Sequence, residues 1–209
     1  MSPAKEVPMK TALSTTFGLL LLSAAVMTQA ADMKVVKPMR GTVDSVSADT
    51  LDFTTRSGQH ESIKLTDKTG IRLVSEADFK QIKDDSFVGS AAIPQADGTL
   101  KALEVTVFEA SLKGSGEGHY GWENADGSTG TMTNGTVGTL AGADGRTLTV
   151  NYKGGEKKLI VPQDVPIAYV EPGKVDQLSK GAKVVVFPAD DGKSARGVAV
   201  GKGGFTPPM

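Results

Sequence analysis

The sequence predicts a mainly β protein built as two tandem OB-like five-stranded small barrels. Each is expected to carry one short helix between its third and fourth strands. Three observations predict this. Two stretches read as copies of each other, "GTVDSVSADTLDFTTRSGQHESIKL" from Gly41 and "GTVGTLAGADGRTLTVNYKGGEKKLIV" from Gly135. Apolar residues alternate along both, the period of half-buried strands. The chain carries 25 Gly and 10 Pro but only 11 aromatic residues (1 Trp, 3 Tyr, 7 Phe), a composition of short strands and many turns.

Taken in order, the inward-facing candidates of copy one are Val43, Val46, Leu51, Phe53, Ile63 and Leu65. Val137, Leu140, Leu148, Val150, Leu159 and Val161 answer them in copy two. Ser57-Gly58 and Gly154-Gly155 supply the positive φ of tight hairpins. "SEADFKQIKDDS" then reads as a short helix, with Ser75 as N-cap and Ala77, Phe79 and Ile82 on one side. "EPGKVDQLSKGA" is its counterpart, with Pro172 near the start. "FVGSAAIPQ" and "KVVVFPAD" are the fourth strands. Turns at Asp97-Gly98 and Asp191-Gly192 lead to the fifth, "LKALEVTVF" and "ARGVAVGK". The order βββαββ, twice, suits an OB-type barrel. Two SH3-like barrels or one continuous sandwich remain open alternatives. If each copy closes on itself, residues 40–109 form an independent barrel.

The ends are read separately. Lys5 and Lys10 precede an apolar run, Phe17 to Met27, and small residues at Thr28-Gln29-Ala30. The run has 11 residues, against the roughly 20 that span a bilayer. Residues 1–30 therefore read as a secretory signal peptide cleaved near Ala30, and an uncleaved anchor is the alternative. Met9 gives a more compact start, so residues 1–8 need not belong to the true beginning. The expected location is the periplasm or the medium. Segments 31–39 (N-terminal), 40–109 (first barrel), 110–133 (linker), 134–202 (second barrel) and 203–209 (flexible tail) complete the plan.

Composition excludes several partners. There is no Cys, so disulfides take no part, although an exported chain could form them. Without the leader the charge is 21 basic against 23 acidic residues. No basic stripe is present to follow nucleic acid. No transmembrane segment is expected after the leader. The expected partner is an unknown component of the envelope.

"RGTVDSVSADTLDFTTRSGQ…SFVGSAAIPQADGTLKALEV" resembles the DUF5666 type of domain, a bacterial extracytoplasmic module of unknown function. With "GEGHYGW…TMTNGTV" at its centre and "PPM" at its end, the chain from residue 38 onward is similar to a group of alphaproteobacterial exported proteins. The resemblance implies an exported β module. Some of that group are called metal-transporter permeases, but a permease needs several apolar spans, and this sequence has none beyond the leader.

The central stretch, "GHYGWENADGSTGTMTN", holds the single Trp. As a Gly- and Ser-rich segment it reads as a linker, with Tyr120 and Trp122 covering a barrel end or an interface. Its residue types also suit a soft cation. Cu(I) and Ag(I) favour thioether and imidazole ligands, and a Trp face can cap a cation. His119 and Met132 are the candidate metal ligands, with copper or silver as the possible ion and Trp122 as its cap. Tyr120, Trp122 and Asn134 are the ligand or interface candidates. Small periplasmic copper and silver chaperones are similar in using His, Met and Trp on a barrel. They carry two close Met, whereas Met132 here lies between Thr131 and Thr133. Met33, Met39 or Met209 could complete a set only through the fold. Zinc fits less well, because it wants three or four ligands and the chain has two His, His60 being placed in a hairpin turn.

No catalytic residues are assigned and the chain is not expected to be an enzyme. It lacks G-x-S-x-G, "GSGEG" follows no βαβ pattern, and Asp84-Asp85 reads as a solvated turn. Asn134-Gly135-Thr136 reads as a turn rather than a glycosylation site. Lys153, Lys157 and Lys158 read as a protected strand edge. The function expected is a non-enzymatic exported binding or scaffold module, and the alternative is a soft-metal accessory protein using His119, Trp122 and Met132.

Overall fold

Period-two burial gives the strands their faces, and the computed structural model shows which neighbours they choose. It describes residues 35–47, 49–142 and 146–209. The leader, its cleavage site and Met33 lie outside the described residues. Copy one supplies β1 (Val35–Val36), β2 (Met39–Val46), β3 (Thr50–Thr55), β4 (His60–Lys64), β5 (Gly70–Glu76), β6 (Phe87–Pro94), β7 (Leu100–Ala102) and β8 (Val105–Phe108). Then come β9 (Gly118–Glu123), β10 (Thr129–Ala141), β11 (Thr147–Tyr152), β12 (Gly155–Ile160), β13 (Ile167–Pro172), β14 (Lys183–Pro188) and β15 (Ala195–Gly201). All belong to one sheet and one compact unit. Among the described residues no helix is long and apolar enough to cross a membrane.

The fold is mainly β and contains five-stranded closed barrels, as the sequence predicts. The copies, however, exchange strands. β2, β3 and β4 close a ring with β14 and β15 of the other copy, through the pairs β2–β14 and β14–β15 and a bridge from Lys64 to Ser194. β10, β11 and β12 close with β6 and β7 of copy one. Each core is accordingly mixed. Leu51, Phe53 and Ile63 pack with Val184, Val186 and Val198. Leu148, Val150 and Leu159 pack with Val88, Leu100 and Val105. The expected inward residues are all in place, with Val46 and Leu140 at the partly buried margins.

β5 and β13 make the exchange possible. Neither was foreseen as a strand, although Ile71 and Leu73 alternate. Both pair with each other, antiparallel, with Val74 opposite Val170. On their outer edges β5 runs parallel to β15 and β13 parallel to β8. Ile71 and Leu73 belong to one barrel's core, whereas Ala77, Phe79 and Ile82 belong to the other's. The chain thus crosses between barrels along β5. Seven extended residues cover roughly 23 Å at about 3.3 Å each, enough to reach the next barrel.

The expected helices are single 3₁₀ turns, Phe79–Gln81 and Val175–Gln177. Ser75 lies inside β5, so Asp78 caps instead. Its carboxylate accepts from the Lys80 N–H, while the Gln81 side chain accepts from the Asp78 N–H. The crossing strand consumes the residues a longer helix would need. The supposed linker is likewise structured: β9 pairs with β10, and β10 continues into the second barrel. Residues 203–209 pack rather than trail, with Phe205 and Met209 against the inter-barrel core.

Gly41 and Gly135, the first residues of the two copies, sit where each barrel's first strand presses on its neighbour. A Cβ there would stand 2.4 Å from the Thr54 carbonyl oxygen and 2.3 Å from that of Asn151. Two residues on, both strands carry a bulge, between Val43 and Ser45 and between Val137 and Thr139. Bulges bend a strand and add twist, which a small barrel needs to close.

An exchanged fold makes a testable statement about fragments. Residues 35–109 alone are expected to be unfolded or to assemble as a homodimer, because β2–β4 lack the strands that close them. Circular dichroism with sedimentation velocity checks this, and a folded monomer would contradict it.

Candidate functional site

The crossing strands leave a space between the barrels. It is floored by β5, β8, β13 and β15 and roofed by the β9–β10 hairpin and Met209, and its volume is about 580 Å³. Side chains alternate along a strand, so the hairpin presents two different faces. Tyr120, Trp122, Met132 and Asn134 lie on the face that lines the cavity. His119 and Thr133, opposite each other in the pairing, lie on the other face.

The residues singled out in the sequence therefore separate. Trp122 is 2% exposed and Met132 4%. Trp122 packs near Phe187, ring centroids 6.2 Å apart. His119 instead meets Thr133 Oγ1 through Nδ1 at 2.8 Å and stacks near Tyr152 at 6.0 Å. Burial, and secondarily the charge of Lys157, holds its pKa below the ordinary value. The trio His119, Trp122 and Met132 does not converge, because strand alternation puts the imidazole on the opposite side from the thioether. His60 is exposed beside Asp44 and Thr54 on the first barrel. Among the described residues no group of three His, Asp or Glu is placed to hold a metal. Met209, by contrast, joins Met132 and Trp122 around the cavity.

Asn134 is a wall residue and not a turn. Its Nδ2 donates to the Gly116 carbonyl at 3.0 Å and to the Tyr120 hydroxyl at 3.3 Å. Its Oδ1 and the Nε1 of Trp122 are buried without a partner. Buried polar atoms are almost always hydrogen-bonded, so these two, on residues that line one cavity, are exceptions, as is Asn124 Oδ1 away from it.

Sequence reasoning missed Glu104. It is 2% exposed and lines the cavity. Oε1 accepts from the Ala91 N–H at 2.9 Å and Oε2 from the Thr106 hydroxyl at 2.8 Å. Burial pushes its carboxyl up to about 7, against the pull of those hydrogen bonds and of Arg40. Parity gave no signal for it: Leu100 and Ala102 face the barrel core, as do Val105 and Val107, so the break between β7 and β8 resets the alternation and turns Glu104 and Thr106 to the cavity. Arg40 is also buried. It donates to the Met209 main-chain oxygen and to the Glu123 carbonyl, both at 2.7 Å, and so ties the roof to the first barrel. Desolvation lowers its pKa.

The two copies differ where the cavity lies. Val105 pairs with Ile167, and Val198 with Ile71, in equivalent places. By that register Glu104 and Thr106 answer to Gly197 and Ala199. The barrel fold is complete on the copy-two side without a carboxyl or hydroxyl, so Glu104 and Thr106 are not demanded by packing.

No protein-family model, curated protein or solved structure matches this chain.

Glu104 predicts a pH dependence. Its folded pKa lies above the unfolded value, so the folded state holds a proton that the unfolded state releases between about pH 4.5 and 7. Stability is expected to fall by up to about 3 kcal/mol across that window and to level off above it. Urea unfolding of Glu104→Gln at several pH values should show a flattened profile, and an unchanged slope would refute the assignment.

Proposed function

We propose that this protein is a non-enzymatic, exported binding module whose ligand occupies the cavity between the two barrels. The observation that carries the reading is the largely apolar cavity itself, lined by Trp122 and Asn134, each of which also holds a buried polar atom without a partner. The volume suits a small molecule, because ligand sites of about 300–1,000 Å³ with few polar groups are typical. Secretion rests on the leader read in residues 1–30, and the resemblance to extracytoplasmic DUF5666-type domains supports the same compartment. The partner remains an envelope component.

A soft-metal role is the second reading, and one observation favours it. The fold brings Met209 beside Met132 and Trp122, supplying a second thioether. Such a site would use these three residues without His119. Anaerobic Ag(I) titration of Trp122 emission, lost in Met132→Leu and Met209→Leu, is its test.

The cavity reading has its own check. N-phenyl-1-naphthylamine, a neutral apolar fluorophore, is expected to brighten on binding and to accept excitation energy from Trp122, the chain's single Trp. Ala199→Phe, which places a ring on the cavity floor, should abolish both signals while the melting curve remains cooperative. Undiminished transfer in that variant would place the probe elsewhere.

A further inference from the structure

The mouth of the cavity differs from its interior. Arg72 and Arg196 both line it. Neither has a carboxylate partner among the described residues. Arg72 Nη1 donates only to its own neighbour, the Ile71 carbonyl, at 3.1 Å. Burial pulls its pKa below the ordinary value, so this guanidinium is partly desolvated without an ion pair to offset the cost. Arg196 is exposed, and its charge reaches the Tyr120 hydroxyl, whose pKa burial raises against the pull of that charge.

The backbone between them is bare. Gly70 and Gly197 lie side by side across β5 and β15. The Arg72 head folds over Gly70, its Nη1 3.0 Å from where a Cβ would stand. The Arg72 guanidinium thus rests on the space that Gly70 leaves free, and Arg196 is the chain neighbour of Gly197 beside it. Behind it the lining becomes apolar: Trp122, Met132, Phe187, Val170 and Ala199. Guanidinium groups bind carboxylates and phosphates in a fixed fork geometry. The rim also carries one carboxylate, Glu117, whose Oε1 accepts from the Lys153 N–H, so two guanidinium groups, Arg72 half-desolvated, stand against one acid. An apolar chamber with such a rim is complementary to a molecule with an anionic head and an apolar body. A cationic amphiphile would meet two like charges at the same rim.

We infer that the cavity takes a single-chain anionic amphiphile, its acidic head held between Arg72 and Arg196 and its apolar body lying against Trp122, Met132 and Phe187. This inference rests on the cavity being the binding site. Glu104 immediately precedes β8, three strands from the β15 strand that carries Arg196, so it would face the body of the ligand rather than its head. Tyr120 and Asn134 sit at the transition between the two zones, where a second head-group oxygen would find the phenolic hydroxyl.

The test uses Trp122 emission of the full chain without its leader, titrated with decanoate, decyltrimethylammonium and decanol below their micelle concentrations. Decanoate is expected to give a saturable shift, at least tenfold tighter than decyltrimethylammonium. Arg72→Gln with Arg196→Gln should weaken decanoate at least tenfold and leave decanol unchanged, and Arg72→Lys should restore part of the loss. Equal or tighter binding of the cation or the alcohol would overturn the anionic class while leaving the cavity as the site. Silence from all three probes would overturn both. Anionic phospholipid vesicles form the last arm. Cosedimentation with vesicles in the absence of a decanoate response would overturn the inference in favour of a membrane surface.

Discussion

The antiparallel pairing of β5 with β13, centred on Val74 opposite Val170, is the contact on which the rest of the structure depends. Each strand leaves one barrel and enters the other, so their pairing ties the two barrels together. Val74 is fully buried and Val170 nearly so, and both strands are hydrogen-bonded on two edges. A central strand of this kind is costly to remove, because every backbone group it leaves unpaired carries a penalty. Strand exchange is usually a route to dimers between identical chains. Here the two exchanging units are copies within one chain, so the exchange costs no association entropy.

The cavity follows from the same crossing. Two barrels joined by four strands meet along a curved floor, and a hairpin inserted between the copies roofs it. Arg40 then fastens that roof, spending one buried guanidinium on carbonyls of the hairpin end and the last residue. At equivalent positions of the floor copy two places Gly197 and Ala199 where copy one places Glu104 and Thr106. A duplicated scaffold can hold the fold with one copy's surface while the other's diverges toward chemistry. The buried, raised-pKa Glu104 is the clearest difference between the copies.

Much of the fold was legible in the sequence, and for a physical reason. Period-two burial fixes which residues of a strand face inward, and Leu51, Phe53, Leu148 and Val150 all obey it. It does not say which strand lies alongside. The copies share one apolar pattern, so β14 fits beside β2 as well as β6 would. The choice is made by the stretch between β4 and the 3₁₀ turn, which is extended rather than helical. At the site, composition drew attention to the right segment but assigned it the wrong form. Gly118 and Gly121 suggested a loop, whereas Tyr120 and Trp122 already alternated as a strand's inner face. The same alternation, applied to His119 and Met132 across the hairpin, parts the proposed metal ligands. Glu104, Arg72 and Arg196 belong to strands distant in sequence, and only the exchange brings them to one cavity.

If the crossing strands bind the barrels into one unit, the barrels must open together. Hydrogen exchange read by mass spectrometry at increasing urea tests this most directly, comparing peptides from β3–β4 with peptides from β11–β12. The account predicts that both sets lose protection at the same urea concentration, in one global transition. Loss of protection in one barrel while the other stays protected would contradict it and return the protein to two independent domains.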